Sequence, residues 1–145
     1  MLRGRYPAKV DEKGRLKIPA SFLADLRKSG SRFYVTSTTG DYVRIYPMKV
    51  WTDIETKLAK LSTHNRAKQK FLDRANYFGQ AMEIDGQGRL LIPSILRDSA
   101  VMQGDVDVLG FLTFLQVWNH NRFEEKLKGT PVTEDDEKAW DEMGI

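Results

Sequence analysis

The sequence carries the same eleven-residue motif twice. Residues 10–20 read VDEKGRLKIPA and residues 84–94 read IDGQGRLLIPS. Aligned without a gap, the two copies share an aspartate, a glycine, an arginine, a leucine, an isoleucine and a proline, each pair 74 positions apart. A repeated unit in a chain of 145 residues predicts two similar halves that bury their apolar surface against each other.

The residues around both motifs predict the same order of elements. Apolar residues before each motif, alternating at 6–10 and clustered at 81–84, indicate a strand. Pro19 and Pro93 are expected in the first turn of a short helix, and the two helices are expected to stop at Gly30 and Gly104. Each half then continues with a hairpin and a closing helix, predicted at 33–46 with Met48–Leu61 and at 106–118 with Asn121–Leu127.

Two further helices complete the predicted order. One links the halves over Asn65–Phe78, and the other begins at Thr133, with Asp136 three residues later as a capping partner. The expected fold is α+β with a mainly β core, in which the two repeats form one pseudo-dimeric barrel with flanking helices. The predicted division is a first repeat at 1–62, a linking helix at 63–79, a second repeat at 80–129 and an acidic C-terminal helix or tail at 130–145.

The motif itself predicts a tight turn that leads into a strand. An aspartate at the end of a strand can accept hydrogen bonds from the N–H groups of the turn that follows. Gly14 and Gly88 allow a positive φ or a close approach of another backbone. Arg15 and Arg89 are expected at the junction of turn and strand, where they project outward unless they pair with the nearby aspartate. A purely structural role for this pairing stays open at this point.

Positive charge is concentrated in the first half. Residues 1–80 hold 17 Lys and Arg against 7 Asp and Glu, whereas residues 81–145 hold 6 against 13. Such a basic half can attract a polyanion, although a solvated surface or attraction between oppositely charged halves of neighbouring subunits would also account for it. Six cations within fifteen residues suit contacts with DNA phosphates and, for arginine, with a guanine edge: Arg3, Arg5, Lys9, Lys13, Arg15 and Lys17.

The two copies differ in these cations. Lys13 and Lys17 in the first copy correspond to Gln87 and Leu91 in the second. This difference favours Arg15 over Arg89 as the arginine that contacts DNA.

The stretches MLRGRYPAKVDEKGRLKIPASF and EIDGQGRLLIPSILRD resemble the two repeats of the bacterial MraZ family. The resemblance implies the swapped-hairpin barrel of AbrB-type regulators and MazE-type antitoxins, with both hairpins supplied by one chain. It also implies a homo-oligomeric ring, an octamer or a dodecamer, that binds short direct repeats of double-stranded DNA in the promoter of the division and cell-wall cluster, which includes its own gene. By the same resemblance, Arg15 contacts DNA, with Lys13 and Arg89 in support.

Other chemistries find little support in the sequence. His64 and His120, the two histidines, do not have metal-binding or catalytic spacing, so we expect no catalytic site, metal or cofactor, no small-molecule substrate and no enzyme activity. No cysteine and no long apolar run occur, so we expect a cytoplasmic protein that does not contact the membrane. The expected binding to DNA would make it nucleoid-associated. The alternative function is an antitoxin-like or scaffold module that binds a protein; a small hydrolase is a third class without a credible nucleophile.

Overall fold

The chain forms eight antiparallel strands and six helices. The computed structural model describes all residues from 1 to 145. In the first half, the elements are β1 (Arg5–Val10), β2 (Arg15–Lys17), α1 (Ala20–Lys28), β3 (Arg32–Thr36), β4 (Val43–Pro47) and α2 (Met48–Ala59), followed by the linking helix α3 (Arg66–Tyr77). The second half comprises β5 (Gln80–Glu83), β6 (Arg89–Leu91), α4 (Ser94–Ser99), β7 (Gly104–Phe111), β8 (Phe114–Asn119), α5 (His120–Gly129) and α6 (Glu134–Glu142).

The strands form one sheet that curls into a nearly closed barrel. Their order is β5-β3-β4-β8-β7-β1-β2-β6, with every neighbouring pair antiparallel. The edge strands β5 and β6 are consecutive in the chain. The N–H of Asp85 donates a 2.9 Å hydrogen bond to the carbonyl of Arg89 where they meet, which brings the two edges together.

The two halves exchange strands. The first strand of each half pairs in the other half, β1 with β7 and β5 with β3. Between them β2 and β6 pair around Leu16 and Leu90, which lie directly opposite each other. The N–H of Ile18 donates to the carbonyl of Gly88, and its counterpart Ile92 donates to Gly14, both at 2.9 Å. This pseudo-twofold arrangement confirms the predicted barrel of two swapped hairpin repeats.

The repeated apolar residues of the motif form the centre of the core. Leu16, Ile18, Leu90 and Ile92 are buried, with at most 1% of their surface exposed. The short helices α1 and α4 close the barrel by burying one face, including Phe22, Leu26 and Leu96. The motif therefore recurs because each copy supplies the same pair of core residues to one barrel.

A second, smaller core holds α2 and α3 against the sheet. Trp51 on α2 stacks on Tyr34 with ring centroids 4.5 Å apart, and the Tyr34 hydroxyl donates to the carbonyl of Ala75 on α3 at 3.0 Å. Trp118 is also buried, whereas Trp140 on α6 is exposed. No helix of the chain is both long and apolar enough to cross a bilayer.

The predicted elements are present, with two local differences. Pro19 and Pro93 lie at the N-cap, one residue before the helix, and so only their carbonyls take part in the first helical turn. Helix α4 ends at Ser99 rather than continuing toward Gly104, because Val101 adopts a left-handed conformation with φ +51°. Helix α6 begins as predicted, with Thr133 and Asp136 in a reciprocal capping box.

Candidate nucleic-acid interface

In the first turn, one aspartate holds both the backbone and the arginine. Oδ1 of Asp11 accepts hydrogen bonds from the N–H groups of Lys13 and Arg15, at 3.0 and 2.9 Å. Oδ2 accepts from Nε of Arg15 at 2.9 Å. The backbone N–H of Arg15 is the main cause that holds the pKa of the Asp11 carboxyl below its ordinary value of 3.8, and the guanidinium adds to the effect.

The second turn repeats this geometry. Oδ1 of Asp85 accepts from the N–H groups of Gln87 and Arg89, both at 2.9 Å, and Oδ2 accepts from Nε of Arg89 at 3.1 Å. The pKa of the Asp85 carboxyl is lowered in the same way, first by the N–H of Arg89. Both arginines therefore do tie their turns together.

The pairing with aspartate leaves hydrogen-bond donors free on both guanidinium groups. Only Nε is engaged, and no protein group accepts a hydrogen bond from the terminal nitrogens of Arg15 or Arg89. Their side chains are 31% and 28% exposed. An arginine held through Nε presents its terminal nitrogens in a fixed orientation, which suits bidentate recognition of an acceptor pair.

The strands β2 and β6 with their two turns, residues 11–17 and 85–91, form a surface that we call the basic ribbon. Because Leu16 and Leu90 point into the core, the residues on either side of them face outward: Arg15, Lys17, Arg89 and Leu91. Arg15 and Arg89 are diagonal neighbours across the strand pair, a relation that separates Cα atoms by about 7–8 Å. Three cations thus share one small outward face.

Lys17 follows the first turn in the sequence but contacts the second turn. Its partner across the strands is Arg89, and its Nζ donates to the carbonyl of Gln87 in the second turn. In the sequence Lys17 belongs to the first copy of the motif. The antiparallel pairing of β2 with β6 places its charge beside the second turn. The two turns are therefore more alike in charge than their sequences indicate.

Helices of the opposite half bring one more arginine to each turn. Nη1 of Arg97 on α4 donates to the carbonyl of Lys13 at 3.2 Å, and Nη2 of Arg27 on α1 donates to the carbonyl of Asp85 at 3.2 Å. Sequence reasoning missed both arginines, because it counted only the cations next to each motif. The strand exchange is the signal that could have found them, since it places each helix over the other turn.

Both turn glycines need to be glycine. Gly14 and Gly88 have φ values of +82° and +77°. A Cβ at Gly14 would overlap the side chain of Arg97, whereas one at Gly88 would press on Leu23, the residue 74 positions before Arg97. Equivalent positions on α1 and α4 thus cover the two turns, one with a leucine and the other with an arginine.

The remaining predicted cations, Lys9, Arg5 and Arg3, lie outside the basic ribbon at increasing distance from the first turn. Lys9 is next to the first turn and pairs loosely with Asp105, with Nζ and Oδ1 3.8 Å apart and both side chains exposed. Arg5 lies at the far end of β1, roughly 16 Å along the strand from Val10, and Arg3 precedes it. The structure therefore brings together Lys13, Arg15, Lys17 and Arg89, and leaves Arg3 and Arg5 outside the basic ribbon.

Arg5 belongs to a separate ion-pair network. Its Nη1 lies 2.7 Å from Oδ1 of the buried Asp107, whose Oδ2 lies 2.9 Å from Nδ1 of His120. Nε2 of His120 lies 3.0 Å from Oε1 of Glu124. The hydrogen bond with Asp107 is the main cause that raises the pKa of His120 above 6.5. This network joins β1, β7 and α5, and no group of three His, Asp or Glu side chains in the chain is placed to hold a metal ion.

The exchanged strands and the paired D-x-x-G-R turns define a two-repeat swapped-hairpin barrel. The sequence model of the MraZ protein family matches residues 1–74 and 79–142. The chain belongs to the MraZ family.

Relatives align over most or all of the chain. A protein of Acidobacterium capsulatum is 48% identical over 146 residues, and one of Koribacter versatilis is 44% identical over 147 residues, in both cases over the full length of both chains. A protein of Moorella thermoacetica is 36% identical over 131 residues, which is 90% of this chain and 89% of the relative. All three relatives carry the name Transcriptional regulator MraZ.

Proposed function

We propose that this protein is a sequence-specific DNA-binding transcriptional regulator. The names of its relatives support the regulatory role. The basic ribbon supports the choice of double-stranded DNA as the partner, because its outward face combines fixed guanidinium groups with flexible ammonium groups. Phosphate contacts from lysine position a protein on the duplex, and contacts from arginine to base edges provide sequence specificity. No catalytic step is part of this proposal.

The dimensions of the ribbon suit the major groove. That groove is about 12 Å wide and admits a two-stranded ribbon. Arg15 and Arg89 then face the bases, where each guanidinium can donate to O6 and N7 of a guanine. Lys13, which has no partner for its ammonium group, and Lys17 lie at the two ends of the ribbon, within reach of the flanking phosphates.

A homo-oligomeric ring would array several such ribbons. The proposed target is a set of short direct repeats in the promoter of the division and cell-wall gene cluster, including the protein's own gene. Binding by one ribbon is weak, since it involves only a few side chains. Linking several ribbons raises the effective concentration of each at the next repeat, so a correctly spaced array binds far more tightly than a single repeat.

The observation that carries this proposal is the matched geometry of the two turns. Both arginines are held through Nε by an aspartate and keep their terminal nitrogens free on one outward face. The turn itself uses only Nε of each arginine, so the two terminal nitrogens are donors that the fold does not need and that remain for a partner.

Footprinting on the DNA upstream of the protein's own gene tests the proposal. We expect evenly spaced protected segments of a few base pairs each, which weaken together when half a helical turn is inserted between the repeats. Uniform protection without sequence preference, or no protection at physiological salt, would contradict it.

A second candidate function, an antitoxin-like or scaffold role, is favoured by one observation. An apolar groove of about 380 Å³ lies at the other end of β1 and β7, bordered by Leu2, Leu26 and Leu112. Leu112 is 61% exposed and adopts φ +63°, an unusual conformation for a bulky residue. Co-purification of a stoichiometric protein that is lost with Leu112→Gly, together with no retention of promoter DNA, would favour this role over the first.

A further inference from the structure

Two segments outside the basic ribbon carry opposite charges of equal size. Residues 56–72, which we call the basic corner, join the end of α2 to α3 and contain five Lys and Arg with no Asp or Glu, a net charge of +5. Residues 130–145, which we call the acidic tail, contain six Asp and Glu with one Lys, a net charge of −5. Neither segment takes part in the geometry of the two D-x-x-G-R turns.

Neither charge is neutralised within the chain. None of the ion pairs of the protein involves a residue of the basic corner or of the acidic tail. In the corner, one ammonium group, that of Lys68, donates to a backbone carbonyl. In the tail, only Asp136 is engaged, in the capping box. The two segments also share no hydrogen bond with each other.

The acidic tail exposes apolar side chains together with its carboxylates. Helix α6 has nine residues and no buried residue. Trp140 is 41% exposed, and Met143 and Ile145 are exposed still more. A helix of this length is marginal in water without packing against a partner. The tail thus offers an exposed tryptophan, the residue type enriched at the centre of protein interfaces, together with carboxylates that suit a polar rim.

The basic corner has the complementary composition. Leu61, in the turn that follows α2, is 45% exposed. The cations Lys57, Lys60 and Arg66, none of which forms an ion pair, lie within five positions of it in the sequence. Each segment thus combines exposed apolar surface with an unneutralised charge, and the two charges are opposite in sign. If the basic corner bound DNA instead, the acidic tail would have no partner, and the DNA phosphates would repel its carboxylates.

We propose that the acidic tail of one copy docks on the basic corner of a second copy of this chain. Because the basic corner and the acidic tail are different surfaces, the contact between two copies is heterologous. Such a contact, repeated from copy to copy, closes into a ring when the rotation that relates neighbouring copies divides a full turn evenly. This inference rests on the proposed ring and names the surfaces that would build it. The docking would also reduce the repulsion between the acidic tail and the DNA phosphates, because the basic corner of a neighbouring copy neutralises the charge of the tail.

Charge reversal at positions that favour the helix tests the contact. Asp141→Lys with Glu142→Lys places cations in the last turn of α6, and Arg66→Glu with Lys70→Glu places an anion in the first turn of α3, so neither change opposes the helix dipole. A third variant combines all four substitutions. Glu125→Lys on α5 and Lys49→Glu on α2 are the matched controls, at exposed positions without an ion pair.

Sedimentation velocity at physiological salt gives the mass of each variant. We expect each reversal alone to weaken assembly by about tenfold or more through like-charge repulsion, and the combined variant to recover it. Both controls should keep the mass of the wild type. Unchanged assembly in the single reversals, no recovery in the combined variant, or a monomeric wild type would each overturn the inference.

A duplex with one repeat separates this inference from the proposed function. The reversed variants should bind this short duplex as the wild type does, because their basic ribbons are intact. If the corner reversal instead weakens binding to the short duplex and leaves the mass unchanged, the corner contacts DNA and the docking inference is wrong. Loss of assembly with retained binding to one repeat leaves the DNA-binding proposal standing.

Discussion

Arg97 in the second half lies directly against Gly14 in the first turn, in the space that a Cβ at Gly14 would occupy. Its Nη1 donates to the neighbouring carbonyl of Lys13 at 3.2 Å, and its Nε is buried without a partner. The first turn is therefore built from both halves of the chain, and residues far apart in the sequence determine its shape and charge together.

Replacing the first turn glycine tests this packing. Gly14→Ala should lower the free energy of unfolding by about 1–2 kcal/mol, the cost of a left-handed conformation for a residue with a Cβ, and should also displace Arg97. Denaturant unfolding measures the change. Gly86→Ala is the matched control, because Gly86 has no positive φ and no atom within 4 Å of the added Cβ. Equal stability of the two variants would show that the turn does not require glycine at position 14.

Arg97→Leu separates the packing role of this side chain from its charge. Leucine is the residue that covers the second turn from the equivalent position, Leu23, so we expect unfolding free energy to change by less than about 1.5 kcal/mol. Binding to DNA should weaken, because one cation leaves the first turn. The expected fall in the salt dependence of log K is about 0.9 if Arg97 contacts one phosphate. A salt slope equal to that of the wild type would restrict Arg97 to packing.

Lys17→Leu makes the first strand of the ribbon match the second, which has Leu91 at the equivalent position. We expect weaker DNA binding with a salt slope smaller by about 0.9, since one phosphate contact is lost. The strand pairing should be unaffected because Lys17 is exposed, and the second turn loses one hydrogen bond, from the Lys17 ammonium group to the Gln87 carbonyl. Titration of the same duplex at several salt concentrations measures the slope, and Lys28→Leu on α1 serves as an exposed control outside the ribbon. An equal loss in both variants would indicate a general effect of net charge.

The network around His120 predicts how stability depends on pH. Asp107 and Glu124 favour the protonated imidazole, so the folded protein has a higher His120 pKa than the unfolded chain. Linkage then makes this contribution fully present below pH 6.5 and lost as pH rises through the folded pKa. Denaturant unfolding at several pH values should show the advantage of the wild type over His120→Gln shrinking on the alkaline side. A constant difference across this range would contradict it.

Most of the fold could be predicted from the sequence because the signals are local. The turn aspartates, the glycines with positive φ and the capping box of α6 each depend on residues within a few positions. The end of α4 could not be predicted, because Val101 departs from the helix in a conformation that its sequence disfavours. A hydrogen bond from the distant Asn119 to the Val101 carbonyl holds this position.

Which cations lie beside each turn of the basic ribbon could be predicted only in part from the sequence. Both arginines and Lys13 lie where the motif predicts, but the pairing of β2 with β6 assigns Lys17 to the second turn. The charge difference that favoured Arg15 over Arg89 is therefore smaller in the structure. The contacts of these residues with DNA and the division of the chain at residues 62, 79 and 129 stay predictions.

The most direct test of the DNA-binding account is the affinity for the upstream DNA of the protein's own gene, measured by fluorescence anisotropy at one salt concentration. The variants are Arg15→Ala, Arg89→Ala and the exposed control Lys128→Ala, each with a scrambled duplex for comparison. We predict that each ribbon variant loses about tenfold or more in affinity for the specific duplex and less for the scrambled one, with assembly unchanged. The control should match the wild type. Unchanged affinity of both ribbon variants would contradict the account.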